Sequence, residues 1–164
     1  MEVKRIDRQL ITEALSLARE SKRRRHLILL HKQKKGERMT VMINAFLPGT
    51  YVRPHRHNDE YETEVFNLLK GRAFILIFDN SGSIDYERSM MADRDRRDLG
   101  ISIEAGIWHS VIVLEPAVLL EVKSHRNGYD EKTDKEFAPW SPKEGTGEAE
   151  KYLKEMTKKL KSLI

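Results

Sequence analysis

The stretch YVRPHRHNDEYETEVFNLLKG, residues 51–71, sets His55 and His57 one residue apart, just ahead of Glu60, Glu62 and Glu64. The chain has six histidines in 164 residues, so placing two of them together calls for a reason. On a strand, side chains alternate faces. His55 and His57 then point the same way, about 6.6 Å apart along the strand. Two imidazoles at that spacing can converge on one metal ion. Pro54 cannot donate a ladder hydrogen bond, which suits a sheet edge or a bend. Glu62 and Glu64 share a face with Phe66, and either carboxylate is able to complete a ligand set.

Around this stretch lie short apolar or alternating runs: HLILLH (26–31), MTVMINAFLPG (39–49), EVFNLL (64–69), RAFILIFD (72–79), SIDYERS (83–89), GISIEAG (100–106), HSVIVLE (109–115) and AVLLEVK (117–123). Turn residues separate them, among them Lys70-Gly71, Asn80-Ser81-Gly82, Ala105-Gly106 and Glu115-Pro116. Many short strands at regular spacing predict an all-β core closed as a barrel or double-sheet jelly roll. Helical periodicity flanks it on both sides. DRQLITEALSLARE (7–20) has Asp7 as its N-cap, and 148–164 carries Ala149, Tyr152, Leu153, Met156 and Leu160 on one stripe. The expected layout is a single domain: N-terminal helix and basic segment (5–26), β-barrel (27–124), extended wrap (125–147) and C-terminal helix (148–164). The wrap is expected to seat Phe137 and Trp140 on an apolar surface, and the last helix to pack on the barrel or on a second subunit.

Charged residues make up 34% of the chain and hydrophobic ones 39%, which implies a globular fold with a heavily charged surface. No apolar run approaches the ~20 residues that span a bilayer. The start, MEVKRIDRQL, lacks the apolar core of a signal peptide, so a cytoplasmic location is expected. With no cysteine, the chain has neither disulfides nor thiolate ligands nor a cysteine nucleophile. The net charge of +4 sits partly in KRRR (22–25) and KQKK (32–35). No aromatic residue interleaves these runs, so no platform for stacking bases is visible, and nucleic acid is a poor fit.

A third histidine, His109, follows a turn in EAGIWHS and opens an apolar strand. Together with His55, His57 and a glutamate it offers nitrogen and oxygen ligands without sulfur. Such a set suits a divalent transition metal: Zn, Fe, Mn or Ni. Four protein ligands leave two positions open on an octahedral ion, as ligand binding or catalysis requires.

GTYVRPHRH, a following glutamate and Gly71 resemble the first cupin motif, and EAGIWH resembles the second, with Glu104 where proline is usual. SKRRRHLILLH (21–31), PGTYVRPHRH (48–57), EAGIWHSVIVLEP (104–116), LLEVK (119–123) and DKEFAPWSPKEG (134–145) together resemble the WbuC-type cupins over roughly residues 5–145. The resemblance implies a double-stranded β-helix (jelly-roll) barrel with a metal held by His55, His57, Glu64 and His109, in the setting of O-antigen or other surface polysaccharides. Glu64 is preferred over Glu62 because it keeps the motif's six-residue gap to Gly71. The loop from His57 to Glu64 is longer than in the common motif, so Glu60 or Glu62 stays open as a ligand. Asn127-Gly128-Tyr129 stands where Gly-Pro-Tyr is usual.

Other residues are candidates for the same mouth. Arg53 and Tyr51 have the phase of His55 and His57. A guanidinium there favours an anionic ligand, although pairing with a glutamate at the rim is as natural. Arg25 and His31 are candidates to fold over the opening and contact a ligand. Phe74, Leu76 and Phe78 read as core, and Trp108 should face away from His109.

Three functions compete. The first is a metal-dependent enzyme on a small anionic or sugar-derived molecule. Its metal would polarise a carbonyl or hydroxyl while Glu60 or Glu62 moves a proton, as isomerases and epimerases require. With Fe(II), oxygen chemistry of a dioxygenase kind is the variant. The second is a non-catalytic metal- or sugar-binding regulatory module. The third, binding of polyanions through the basic runs, ranks last. A homodimer is also expected, since cupins frequently pair.

Overall fold

A computed structural model describes residues 3–34, 36–92, 98–126 and 135–163. Its elements are α1 (Arg8–Glu20), β1 (Arg25–Leu29), β2 (Met39–Phe46), β3 (His55–Arg56), β4 (Glu64–Lys70), β5 (Ala73–Phe78), β6 (Ile84–Ala92), β7 (Gly100–Ile103), β8 (Trp108–Val113), β9 (Ala117–Ser124), β10 (Glu136–Phe137) and α2 (Gly147–Lys161). The strands form two five-stranded sheets, ordered β1-β2-β9-β4-β7 and β10-β3-β8-β5-β6. Every pairing described is antiparallel.

Alternation along the strands divides the apolar residues between three layers. Phe46, Phe66, Ile75, Ile77, Ile103, Val111, Val113 and Leu119 fill the space between the sheets. Ile43, Ala45 and Val118 turn outward to meet Ala14, Leu15 and Ala18 of α1. Phe74, Leu76, Phe78, Trp108 and Ile112 turn outward on the other sheet and meet Met156 and Leu160 of α2. This explains why β5 and β8 read as continuous apolar runs: both their faces are covered, and all six residues of each are buried. The stripe of α2 therefore packs on the barrel of its own chain.

The helix ends follow their sequences. Asp7 caps α1 by accepting from the Leu10 N–H at 3.0 Å. Thr146 caps α2, which carries Glu148 and Glu150 in its first turn and Lys158, Lys159 and Lys161 in its last.

Three expectations need adjusting. β1 begins at Arg25, inside the basic segment rather than after it. The strand expected over YVRPHRH (51–57) shrinks to His55–Arg56, because Pro54 offers no N–H, and the Pro54 carbonyl instead accepts from the Ala138 N–H of the wrap at 2.9 Å. In that wrap, Trp140 is anchored against Phe78, with ring centroids 5.1 Å apart, whereas Phe137 remains 48% exposed. Asn127-Gly128-Tyr129 lies outside the described residues.

KRRR serves as a clamp. Arg23 Nη2 lies 2.9 Å from Glu144, and Arg25 Nη1 lies 2.8 Å from the same carboxylate, tying the start of β1 to the wrap. No helix among the described residues is long and apolar enough to cross a membrane.

Candidate metal centre

Both sheets contribute to a polar cluster at one end of the barrel. His55 of β3 and His109 of β8 are direct cross-strand partners. Glu64 opens β4 on the opposite sheet, between Ile103 of β7 and Lys123 of β9. His57 lies just past β3, and its carbonyl accepts the Gly106 N–H at 2.7 Å, which fixes it to the turn leading into β8. One ligand atom from each of His55, His57, Glu64 and His109 lies within 4.8 Å of the others. Their relative exposures run from 1 to 5%.

The protonation pattern suits a cation. His55 Nδ1 is 2.9 Å from the Arg53 carbonyl oxygen, and His109 Nδ1 is 2.9 Å from that of Ile107. A carbonyl only accepts, so both Nδ1 atoms carry the proton and both Nε2 atoms present a lone pair. His109 Nε2 and Glu64 Oε2 are 2.9 Å apart, yet both are buried without a hydrogen-bond partner. Two acceptors that close need a proton or a metal ion between them. Glu64 Oε1 also lies 3.1 Å from His57 Nε2. Burial pushes the Glu64 carboxyl up, and a proton on the facing His109 and His57 rings outweighs burial and holds the group well below the usual carboxylate range. Burial, then the charge of Lys135, keeps His55 well below an ordinary histidine. An ionised carboxylate and a neutral imidazole are the forms that ligate metals, so the residues present fit one divalent ion.

Further polar residues back the cluster. Lys123, 1% exposed, sets Nζ 2.8 Å from His57 Nδ1. Glu62 Oε2 lies 3.7 Å from the same nitrogen, and Glu62 Oε1 lies 3.5 Å from His125 Nδ1. Deeper in the barrel, Asn44 donates to Glu121 at 2.6 Å. Burial, with the charge of Glu64 next, raises the Glu121 carboxyl to about 8. The sequence reading missed His125, Thr40 and Asn44. The available signals were the period-two phase of β9, which puts 119, 121, 123 and 125 on one face, and that of β2, which puts 40, 42, 44 and 46 on one face.

The structure places the other candidates elsewhere. Arg53 does not share the direction of His55. Its Nε donates to Ser141 Oγ at 2.9 Å, Nη2 donates to the Ser141 carbonyl at 3.0 Å, and its guanidinium lies over the Phe137 ring. Tyr51 donates its hydroxyl to the Pro142 carbonyl at 2.9 Å and meets Tyr152 edge-on. Arg25 is spent on Glu144 and on the Tyr51 carbonyl. His31 sits at the outer end of the β1–β2 hairpin, its Nε2 3.1 Å from the Met39 carbonyl. Glu60, 74% exposed at its side chain, pairs with Arg126 at 2.6 Å in the loop outside the cluster. Of the expected second glutamates, Glu62 alone reaches the ligand group.

The fold has known counterparts. The protein TT1209 from Thermus thermophilus superimposes with a TM-score of 0.53 at 22% identity, covering 76% of this chain and 97% of that protein. An uncharacterized conserved protein with a double-stranded β-helix domain from Klebsiella pneumoniae gives 0.55 at 14% identity, over 84% and 98%. CapF, the capsular polysaccharide assembling protein of Staphylococcus aureus, gives 0.50 at 19% identity, over 68% of this chain and 31% of CapF. This chain therefore matches about a third of CapF and nearly all of the other two. These likenesses establish the double-stranded β-helix, the cupin barrel. No curated protein matches the chain. The family model for the domain of unknown function DUF6016 matches residues 6–90, more than half of the length and inclusive of three of the four cluster residues, and the chain belongs to that family.

Proposed function

We propose that this protein is a metal-binding cupin that acts on a small anionic or sugar-derived metabolite. One observation carries the reading: three imidazoles and a carboxylate, drawn from both sheets and nearly free of solvent, converge on a common centre, where His109 Nε2 and Glu64 Oε2 have no hydrogen-bond partner. A divalent ion bound there would act as a Lewis acid on a carbonyl or hydroxyl oxygen, the chemistry of isomerases and epimerases. The protein's own part is to hold the four ligands ready, with Lys123 and Glu62 against His57. The resemblance of the motif segments to WbuC-type cupins supports a polysaccharide setting, and the capsular role named for CapF is in keeping with it. That part of the reading rests on analogy of fold.

A second reading is a non-catalytic metal- or sugar-binding module. It is favoured by the depth of the cluster, since none of the four residues exceeds 5% exposure.

Elemental analysis of tag-free protein, purified without chelators, tests the shared core of both readings. About one transition metal per chain, lost in a His55→Ala/His57→Ala variant, is expected. No uptake after adding back Zn, Fe, Mn and Ni would refute the metal centre. Isomerisation or epimerisation of sugar nucleotides and hydroxy acids by the metal-loaded protein then separates enzyme from module.

A further inference from the structure

The short strand β10 turns its two side chains opposite ways. Glu136 pairs with Arg56 and faces outward. Its Oε2 accepts from Arg56 Nε at 2.8 Å and from Asn58 Nδ2 at 2.5 Å, and the Arg56 guanidinium lies over the Trp108 ring, 4.3 Å from the centroid. Phe137 pairs with His55 and faces inward, with the two ring centroids 6.4 Å apart. Alternation then puts Lys135 on the inner face with Phe137, and the register continued by one step sets it against His57. We propose that Lys135 and Phe137 form the substrate-binding lip of the metal centre, the ammonium taking a carboxylate or phosphate and the ring taking the C–H face of the sugar that carries it. The proposal rests on the metal-binding reading above and narrows its ligand to an anionic sugar.

Lys135 is exposed, and no hydrogen bond or ion pair among the described residues engages it. Its charge nevertheless reaches both sheets. After burial it is the largest influence lowering His55 of β3, and it opposes the upward push of burial and Glu64 on Glu121 of β9. An ammonium felt on both sides stands over the mouth between them, where the four ligands converge. Phe137 keeps 48% of its surface exposed although the Arg53 guanidinium lies over its ring at 4.8 Å. A ligand that covers this ring removes apolar surface from water. The two side chains match the two parts of an anionic sugar: charge pairing orients the anion, and the aromatic ring packs on the apolar face of the sugar. The bonds from Arg56 and Asn58 to Glu136 hold the strand on which the pair stands. A neutral sugar would engage only the ring, and inorganic phosphate only the ammonium.

The test titrates the zinc-loaded full chain with D-glucose 6-phosphate, D-glucuronate, D-glucose and inorganic phosphate. Binding is followed by the backbone amide shifts of residues 55 and 137, with zinc content measured in the same samples. Both anionic sugars are expected to bind about 10-fold tighter than D-glucose, and the tighter of the two names the anionic group. Lys135→Gln should weaken both of them and inorganic phosphate by about 10-fold, while zinc stays near one per chain. Phe137→Leu keeps apolar bulk without the ring. It should weaken the sugars by about 2–10-fold and leave inorganic phosphate unchanged. Unchanged anion affinities in Lys135→Gln would overturn the proposal and leave Lys135 as a counter-ion of the buried carboxylates. Equal affinity for D-glucose and the anionic sugars, or no binding of either anionic sugar, would overturn it as well. Absence of zinc uptake by the unsubstituted protein would overturn the metal reading instead, and the same Lys135 comparison on the metal-free chain would then decide the lip.

Discussion

His55 and His109 are held by one device used twice: each donates its Nδ1 proton to the carbonyl two residues before it, at 2.9 Å in both cases, while the rings face each other across β3 and β8 with centroids 4.4 Å apart. A strand-end histidine bonded in this way needs no partner side chain to set its tautomer. The centre is therefore organised before a metal arrives, and little ordering cost remains to be met on binding.

Metal uptake should follow from that preorganisation. His57→Ala and Glu64→Ala are expected to lose most of the bound metal while keeping the far-ultraviolet circular dichroism of the unsubstituted protein. The ligands sit at or near strand ends, His57 just past β3 and Glu64 at the start of β4, so the strands can pair without them. Glu60→Ala should retain full stoichiometry, because its side chain pairs with Arg126 in the loop. Full metal content in His57→Ala would remove that residue from the set.

Much of this was legible in the sequence, for particular reasons. The period-two pattern around Phe66 put Glu62 and Glu64 on one face and left both open; the resemblance to the cupin motifs preferred Glu64 and added His109, and the structure sets these two beside His55 and His57. Trp108 faced away from His109 as alternation requires, into the cluster under α2. The reading erred where alternation stops. Arg53 and Tyr51 precede Pro54, the backbone there leaves the ladder, and their side chains turn to Ser141 and Pro142 of the wrap. His125 was missed for the opposite reason: it continues the phase of β9 by one step beyond the last strand residue. Contacts between the wrap and residues 51–53 join positions more than 80 apart, and no local pattern encodes them.

Arg53 should prove a stability residue. Its bonds to Ser141 and its place over Phe137 fasten the wrap to the segment that carries His55. Arg53→Ala is expected to lower stability by about 1–3 kcal/mol, since hydrogen bonds from a charged donor are lost and the Ser141 carbonyl is left to find another partner. Metal stoichiometry should stay near one per chain. Unchanged denaturant midpoints would show that the wrap is held without Arg53, by its remaining contacts through Ala138, Trp140, Pro142 and Glu144.

The metal-free protein should show two opposed pH dependences. His55 titrates well below its ordinary 6.5 when folded. Between the folded value and 6.5 the unfolded chain binds a proton that the folded chain does not, so this contribution to stability is lost as pH falls below about 6.5. Glu121 runs the other way. Its carboxyl moves from 4.5 up to about 8 on folding, so the folded chain holds the extra proton, and stability is lost as pH rises through that window. Glu121→Gln removes only the second slope. Its gain in Tm over the unsubstituted chelator-treated protein should be larger near pH 8 than near pH 5. An equal gain at both would mean that Glu121 is ionised throughout.

Gly71 and Gly106 offer a matched pair for the barrel's turns. Both lie in the left-handed region, with φ of +79° and +82°. They differ in what a side chain would meet. A Cβ on Gly71 would overlap the Pro116 carbonyl oxygen and lie 2.8 Å from the Ala117 Cα, backbone that cannot move without shifting β9. A Cβ on Gly106 meets nothing within 4 Å. Gly106→Ala should therefore cost only the left-handed strain, about 1–2 kcal/mol. Gly71→Ala adds an overpacking cost of about 1–3 kcal/mol to the same strain. At about 2–4 °C of Tm per kcal/mol, thermal unfolding followed by circular dichroism resolves the difference. Equal losses would mean that the backbone at Pro116 and Ala117 yields to the added Cβ.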